Sequence, residues 1–301
     1  MNPPLCSAVP SEGDPGGSGD AEPAIALAPR APRGRLVMFI HGMFMTPHAW
    51  EHWTIPFRER GYSTSAPPWP EHEGAVAVLR RGASRPALGM LTLERVVEYY
   101  RAIISSLREK PVLIGHSMGG LVVQKLLSEG MAEAGIAIDS APPHGVSVLS
   151  WPFIRSNWPM LNPFASDEDP VMPTFEQFRY SAANRLSPCR ARAIYENYIV
   201  PESRMVGRGM LSEAGALDFD ARRGPLLMIA GGHDHLVPAV LSRKVFACHA
   251  RSPSETQFLL YAGRAHLTIL EPGWQEVLSN CLRWLDGRGL GARSVMAPRA
   301  P

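Results

Sequence analysis

Gly115-His116-Ser117-Met118-Gly119-Gly120 sets a serine among glycines, directly after the apolar run PVLI (residues 111–114) and ahead of LVVQKLL (residues 121–127). G-x-S-x-G is common by chance, but between a strand and a helix it specifies a sharp elbow that lifts the hydroxyl clear of a sheet. The glycines let a tight turn approach neighbouring backbone where a Cβ would clash. The helix that starts behind Ser117 offers unpaired N–H groups and a partial positive charge, which suits an anionic tetrahedral intermediate. A serine hydroxyl is a weak nucleophile near neutral pH and needs a base. Candidate partners follow later apolar runs: His266 closes Arg264-Ala265-His266 after TQFLLYAG, and Asp234 stands in Gly231-Gly232-His233-Asp234-His235 after PLLMIA. All three residues lie just beyond predicted strand ends, where the sites of wound parallel sheets gather. Their order in the chain is nucleophile, acid, base, one of the known orders for such a triad. Asp139, after the run IAI, competes as the acid, and His41, His116, His233 and His235 compete as bases.

The elements that must position these residues alternate between strand and helix. Short apolar runs at 35–40, 62–66, 111–114, 136–139, 225–230 and 256–261 read as strands. Segments 49–60, 92–107, 118–129, 239–248 and 274–285 read as helices. Such alternation predicts an α/β fold: a mostly parallel sheet with helices on both faces. Residues 141–224 interrupt the pattern. They are rich in proline, methionine and aromatics and carry two predicted helices, one opened by the capping box Thr174-x-x-Gln177 and one by Ser187 with Pro188 behind it. The expected organisation is therefore a core made of 34–140 and 225–286, an inserted helical cap at 141–224, and disordered tails at 1–33 and 287–301. The first tail holds seven prolines and little that could form a core.

Composition narrows the class. The chain has 301 residues, 45% of them hydrophobic, enough to bury a sizeable core, and its formal net charge is +2. That balance excludes an overall polybasic nucleic-acid binder. No apolar stretch is long enough to span a membrane. The four cysteines, Cys6, Cys189, Cys248 and Cys281, are widely separated and form no C-x-x-C or zinc spacing. No disulfide scaffold, metal or cofactor is therefore expected, and a reducing, cytoplasmic setting is the simpler reading.

Four motifs taken together resemble the α/β-hydrolase family: HGMF at 41–44, GHSMGG at 115–120, GGHDHLVP at 231–238 and GRAHLTILEPGW at 263–274. The resemblance spans roughly 35–284 and is nearest to small-molecule serine hydrolases akin to carboxylesterases and the metal-free haloperoxidase-like group. It implies an acyl-enzyme mechanism with Ser117, Asp234 and His266 catalytic, since D-H-L-V-P after Gly-Gly matches the usual acid loop. It implies an oxyanion hole from the backbone N–H of Met118 and of Met43, with Phe44 as the second choice for the latter, and structural roles for His41 and His116. Serine as nucleophile argues against haloalkane dehalogenase and epoxide hydrolase chemistry. The expected partner is a small-molecule acyl substrate, an ester, thioester or lactone. Carbon–carbon hydrolysis, lyase or cyclase chemistry and a non-catalytic receptor remain the alternatives. Phe44, Trp158, Phe164, Phe175 and Phe178 are the candidate substrate contacts, and the cap is expected to set selectivity while contributing little to the chemistry.

Overall fold

The computed structural model describes residues 34–82, 85–148, 150–166 and 168–292. The expected disorder of 1–33 and of 293–301 lies outside the described residues. Six strands, β1 (Leu36–Ile40), β2 (Ser63–Ser65), β3 (Val112–His116), β4 (Ala134–Ile138), β5 (Leu226–Gly231) and β6 (Thr256–Tyr261), form one all-parallel sheet in the order β2-β1-β3-β4-β5-β6. Every residue of β3, β4 and β5 is buried, which is why they read as unbroken apolar runs. The edge strand β2 is only Ser-Thr-Ser, and a short polar edge gives other chains little to pair with.

The two-residue period of the strands divides the core. Val37, Phe39, Val112 and Ile114 point to one face, where they meet Trp53 and Phe57 of α1 (Glu51–Glu59). Two short helices, α2 (Val76–Arg81) and α3 (Pro86–Gly89), follow β2 and escape the sequence reading, being too brief to display helical periodicity. Met38, Ile40 and Leu113 point to the other face, against Val96 and Tyr100 of α4 (Leu93–Ser105) and Leu121 and Val122 of α5 (Met118–Ser128). Thr92 caps α4 as expected, accepting the Arg95 N–H at 3.2 Å.

Among the described residues, 141–224 add no strand to the sheet. They contain four α-helices and a 3₁₀ turn (Glu213–Gly215) where two helices are expected: α6 (Trp151–Leu161), α7 (Phe175–Ser181), α8 (Pro188–Tyr198) and α9 (Arg204–Gly209). The Thr174–Gln177 capping box and the Ser187 cap are both formed. Helix α6 carries Pro159 in its interior, which hides it from a propensity reading. The chain then returns to the sheet through β5, α10 (Ala239–Cys248), β6 and α11 (Trp274–Asp286), the last two helices lying within a residue of their expected bounds. The C-terminal tail does not begin at 287. Leu290 is buried, its carbonyl accepts the Tyr62 hydroxyl at 3.1 Å, and Arg288 pairs with Glu255. Cys248 and Cys281 are free thiols, and Cys189 is disulfide-bonded. Among the described residues no helix is long and apolar enough to cross a membrane.

The strand order has a consequence for function. β1 leads outward to β2, whereas β3 leads the opposite way to β4, β5 and β6. The loops leaving the carboxyl ends of β1 and β3 therefore part company and open a crevice, the place where such sheets bind ligands.

Candidate active site

Ser117 stands in that crevice, at the junction of β3 and α5, with φ 55° and ψ −121°. A non-glycine residue here is strained by roughly 1–3 kcal/mol. The surrounding contacts hold it. Its N–H donates to Ile138 at 2.9 Å, and its carbonyl accepts from Gly120 and Ala141, each at 2.9 Å. The motif glycines have steric reasons. A Cβ on Gly115 would stand 2.2 Å from the Gly119 carbonyl oxygen, and one on Gly119 would stand 2.3 Å from that of Ile40. Gly119→Ala would therefore force apart the elbow and the end of β1. We expect it to cost about 1–3 kcal/mol of stability and to lower turnover, read from melting temperature and kcat on the same preparation; a melting point and kcat equal to the parent would refute the steric account.

The other two loops meet Ser117 because they are tied to each other. His233 N–H donates to the Arg264 carbonyl at 2.9 Å, bringing the loop after β5 against the loop after β6. Gly231 permits this, since a Cβ there would lie 2.3 Å from the Ala265 oxygen. His266 Nδ1 donates to Asp234 Oδ2 at 2.7 Å, and His266 Nε2 lies 3.0 Å from Ser117 Oγ. Asp234 Oδ1 is anchored by the N–H groups of Leu236 and Val237, both at 2.8 Å. Burial works against a charge on His266, but the Asp234 carboxylate outweighs it and holds the imidazole above its ordinary value. In its neutral form the ring presents an unprotonated Nε2 to the serine hydroxyl, the arrangement needed to take a proton.

The competing residues have other partners. His116 Nε2 donates to the His266 carbonyl at 2.7 Å, and burial with the nearby His266 pushes His116 down to about 3. His41 Nε2 accepts the Trp69 N–H at 3.1 Å and its ring stacks on Trp69. His235 Nδ1 faces the Tyr180 carbonyl at 2.8 Å, and the His233 carbonyl accepts from Asn184 at 2.9 Å. Asp139 is adjacent to the pair: its Oδ1 accepts the Gly231 N–H at 2.8 Å, while burial and the Asp234 charge push its carboxyl well above the usual range.

Ser117 and His266 open on a cavity of about 90 Å³. Met43, Met118, Phe44 and Phe178 line it, together with Phe153, Pro159 and Met160 of α6. Trp158, Phe164 and Phe175 do not. Trp158 is 50% exposed and Phe164 90% exposed, while Phe175 packs beside Tyr195 of α8 and under Arg192. An aromatic count along the insertion could not tell the inward face of α6 from its outward face. Met118 is the first residue of α5, so its N–H has no intrahelical acceptor. The Phe44 N–H, by contrast, is directed to Glu202 Oε2 at 3.4 Å.

Sequence reasoning missed the residues that hold these loops. The Glu271 carboxylate accepts the Ala265 N–H at 3.2 Å, and Trp53 Nε1 donates to the Ile269 carbonyl at 3.0 Å, so the histidine loop is braced from both ends. Asn157 of α6 donates to the Leu236 carbonyl at 3.1 Å. With Asn184 and Tyr180 it clamps the acid loop to the insertion, so the insertion is coupled to the triad geometry as well as to the cavity. Glu271 lies inside a quoted motif, but nothing in the spacing marks the others.

A family model described as Alpha/beta hydrolase family matches residues 37–278. Among solved structures, an extracellular α/β-hydrolase from a Paenibacillus species aligns with a TM-score of 0.63 at 19% identity, covering 83% of this chain and 98% of that one. A methylesterase from Arabidopsis aligns at 0.60 and 15%, covering 84% and 99%. A monoacylglycerol lipase from Paleococcus ferrophilus aligns at 0.60 and 17%, covering 84% and 94%.

Proposed function

Because the chain belongs to the α/β-hydrolase family, we propose that it is a serine hydrolase cleaving an ester, thioester or lactone of a small, largely apolar molecule. The observation that carries this reading is the continuous line from Ser117 Oγ through His266 to Asp234, at 3.0 and 2.7 Å, opening on an apolar cavity. As Ser117 Oγ bonds to the carbonyl carbon, His266 Nε2 takes its proton, and the oxygen turned anionic accepts from the Met118 and Met43 amides. Each such donor contributes about 10²–10³ in turnover. The imidazolium then protonates the leaving alcohol or thiol, and water repeats the cycle on the acyl-serine. Asp234 fixes the tautomer and stabilises the imidazolium. A fluorophosphonate should label the parent protein at Ser117 and leave Ser117→Ala unlabelled; a folded parent that resists labelling and hydrolyses no ester in a graded screen would point to a non-catalytic receptor instead.

We read the insertion at 141–224 as a cap that limits substrate size. A cavity of about 150 Å³ holds benzene, so the smaller space here suits acyl chains of only a few carbons. In a p-nitrophenyl ester series, acetate to butyrate should be turned over in preference to octanoate. Met160→Ala and Phe178→Ala should move the optimum toward longer chains by about 1–3 kcal/mol in relative kcat/KM. Trp158→Ala and Phe164→Ala, which alter outward-facing side chains, should leave the profile unchanged. If all four variants share the parental profile, the cap does not set selectivity.

A further inference from the structure

Behind the loop that carries Met43 lies an ion pair with no contact to solvent. Glu202 Oε2 stands 3.1 Å from His72 Nε2, with exposures of 0% and 1%. The other His72 nitrogen, Nδ1, faces the Pro70 carbonyl at 3.1 Å. Both ring nitrogens thus face oxygen atoms of Glu202 and Pro70, an arrangement that favours the doubly protonated, positively charged ring. Burial opposes that charge, but the Glu202 carboxylate overcomes it, with help from Pro70 and Glu73, and holds His72 above its ordinary value. His41, 5.5 Å away, is pushed well below its ordinary value by its own burial and then by His72.

Glu202 is fixed by its surroundings. Its backbone pairs with Val171 in both directions, at 2.8 and 2.9 Å, and its Oε1 accepts the Ser203 N–H at 2.7 Å. What Glu202 holds in turn is Phe44. The Phe44 N–H is directed to Oε2 at 3.4 Å, and the Phe44 carbonyl accepts the Val200 N–H at 2.8 Å. The same residue sits at φ 63°, a strained conformation that persists only under outside restraint. A buried ion pair is weak evidence for stability, because apolar side chains of similar volume do as well or better. Here it is spent on the backbone one residue from the Met43 amide.

We infer that Glu202, with His72 as its counter-charge, is a positioning residue that fixes the Phe44 peptide and so keeps the Met43 N–H aimed at the oxygen of the tetrahedral intermediate. The inference rests on the serine hydrolase reading above. Its effect belongs to the transition state, so it should appear in kcat and leave substrate binding alone.

The test compares the full-length parent, Glu202→Gln and His72→Gln on one p-nitrophenyl ester, with a short alkyl boronic acid as tetrahedral mimic. Glu202→Gln keeps the size of the side chain and removes its charge. It should lower kcat about tenfold or more, keep KM within about twofold, and weaken boronate inhibition by the same factor as kcat. His72→Gln should change the same quantities in the same direction, which covers the case in which Glu202→Gln fails to fold. A folded Glu202→Gln or His72→Gln enzyme with parental kcat, or one whose whole loss lies in KM, overturns the inference while leaving the hydrolase reading intact. A parent inert to both the esters and a fluorophosphonate overturns both together.

Discussion

Ser117→Ala and His266→Ala should each abolish turnover, by about 10⁶ in kcat, while the protein melts at its parental temperature. The expected size follows from the way the groups act as a unit. His266 Nε2 has no proton to take once the hydroxyl at 3.0 Å is gone, and the hydroxyl is inert without the imidazole. The double variant should therefore be no worse than either single one. What remains should be a small acceleration over water, from oxyanion donors and substrate binding that the substitutions do not touch. Alanine suits the measurement because Ser117 is held in its strained conformation by backbone bonds, which alanine retains. More than a few per cent of parental activity in a purified Ser117→Ala protein would remove Ser117 as nucleophile.

Asp234→Asn should cost about 10⁴ in kcat, and Asp139→Asn less than about tenfold, or ~1.4 kcal/mol in the barrier. The two carboxyls differ in what they hold. Asp234 accepts from His266 Nδ1 through one oxygen and is oriented by two backbone N–H groups through the other, so an amide there favours the wrong tautomer. Asp139 is pushed well above the usual carboxylate range by burial and by that charge, and its Oδ1 accepts the Gly231 N–H, a contact that an asparagine keeps. The pH profile carries the same distinction. The proposed mechanism needs neutral His266, and Asp234 keeps the imidazole above its ordinary value against its burial, so the acid limb of kcat/KM in the parent should lie above that of a free histidine. In Asp234→Asn the limb should move to lower pH; in Asp139→Asn it should stay near the parent. A reversed ranking of the two variants would transfer the acid to the strand before the insertion.

Much of this molecule was legible because its signals are local. Strands buried on both faces must be apolar throughout, so β3, β4 and β5 stand out in the sequence with bounds accurate to about two residues. Caps are side chain to backbone bonds three residues apart, so Thr92, Thr174 and Ser187 mark the starts of α4, α7 and α8 without any tertiary information. The elbow is legible for the same reason: glycines at 115, 119 and 120 around a serine have few uses other than a backbone crossing too close for a Cβ. Short helices such as α2 and α9, and α6 with its internal proline, lack the length or the residues to announce themselves.

The order and spacing of Ser117, Asp234 and His266, each just past a strand, were determined by the sequence alone, since a parallel sheet sends every such loop to one edge. The tertiary structure decided which carboxyl meets His266 and which stands beside it bonded to the Gly231 N–H, because both lie on neighbouring strand ends and only distance separates them. It also decided which aromatic residues of the insertion turn inward. Phe178 reaches the cavity while Trp158 and Phe164 face outward, a choice made by how α6 and α7 lie across the crevice and not by hydrophobicity. Above all it brought Glu202 and His72 together behind Phe44. They are 130 residues apart in the chain, and a charge pair formed across that separation leaves no periodicity, motif or composition to read.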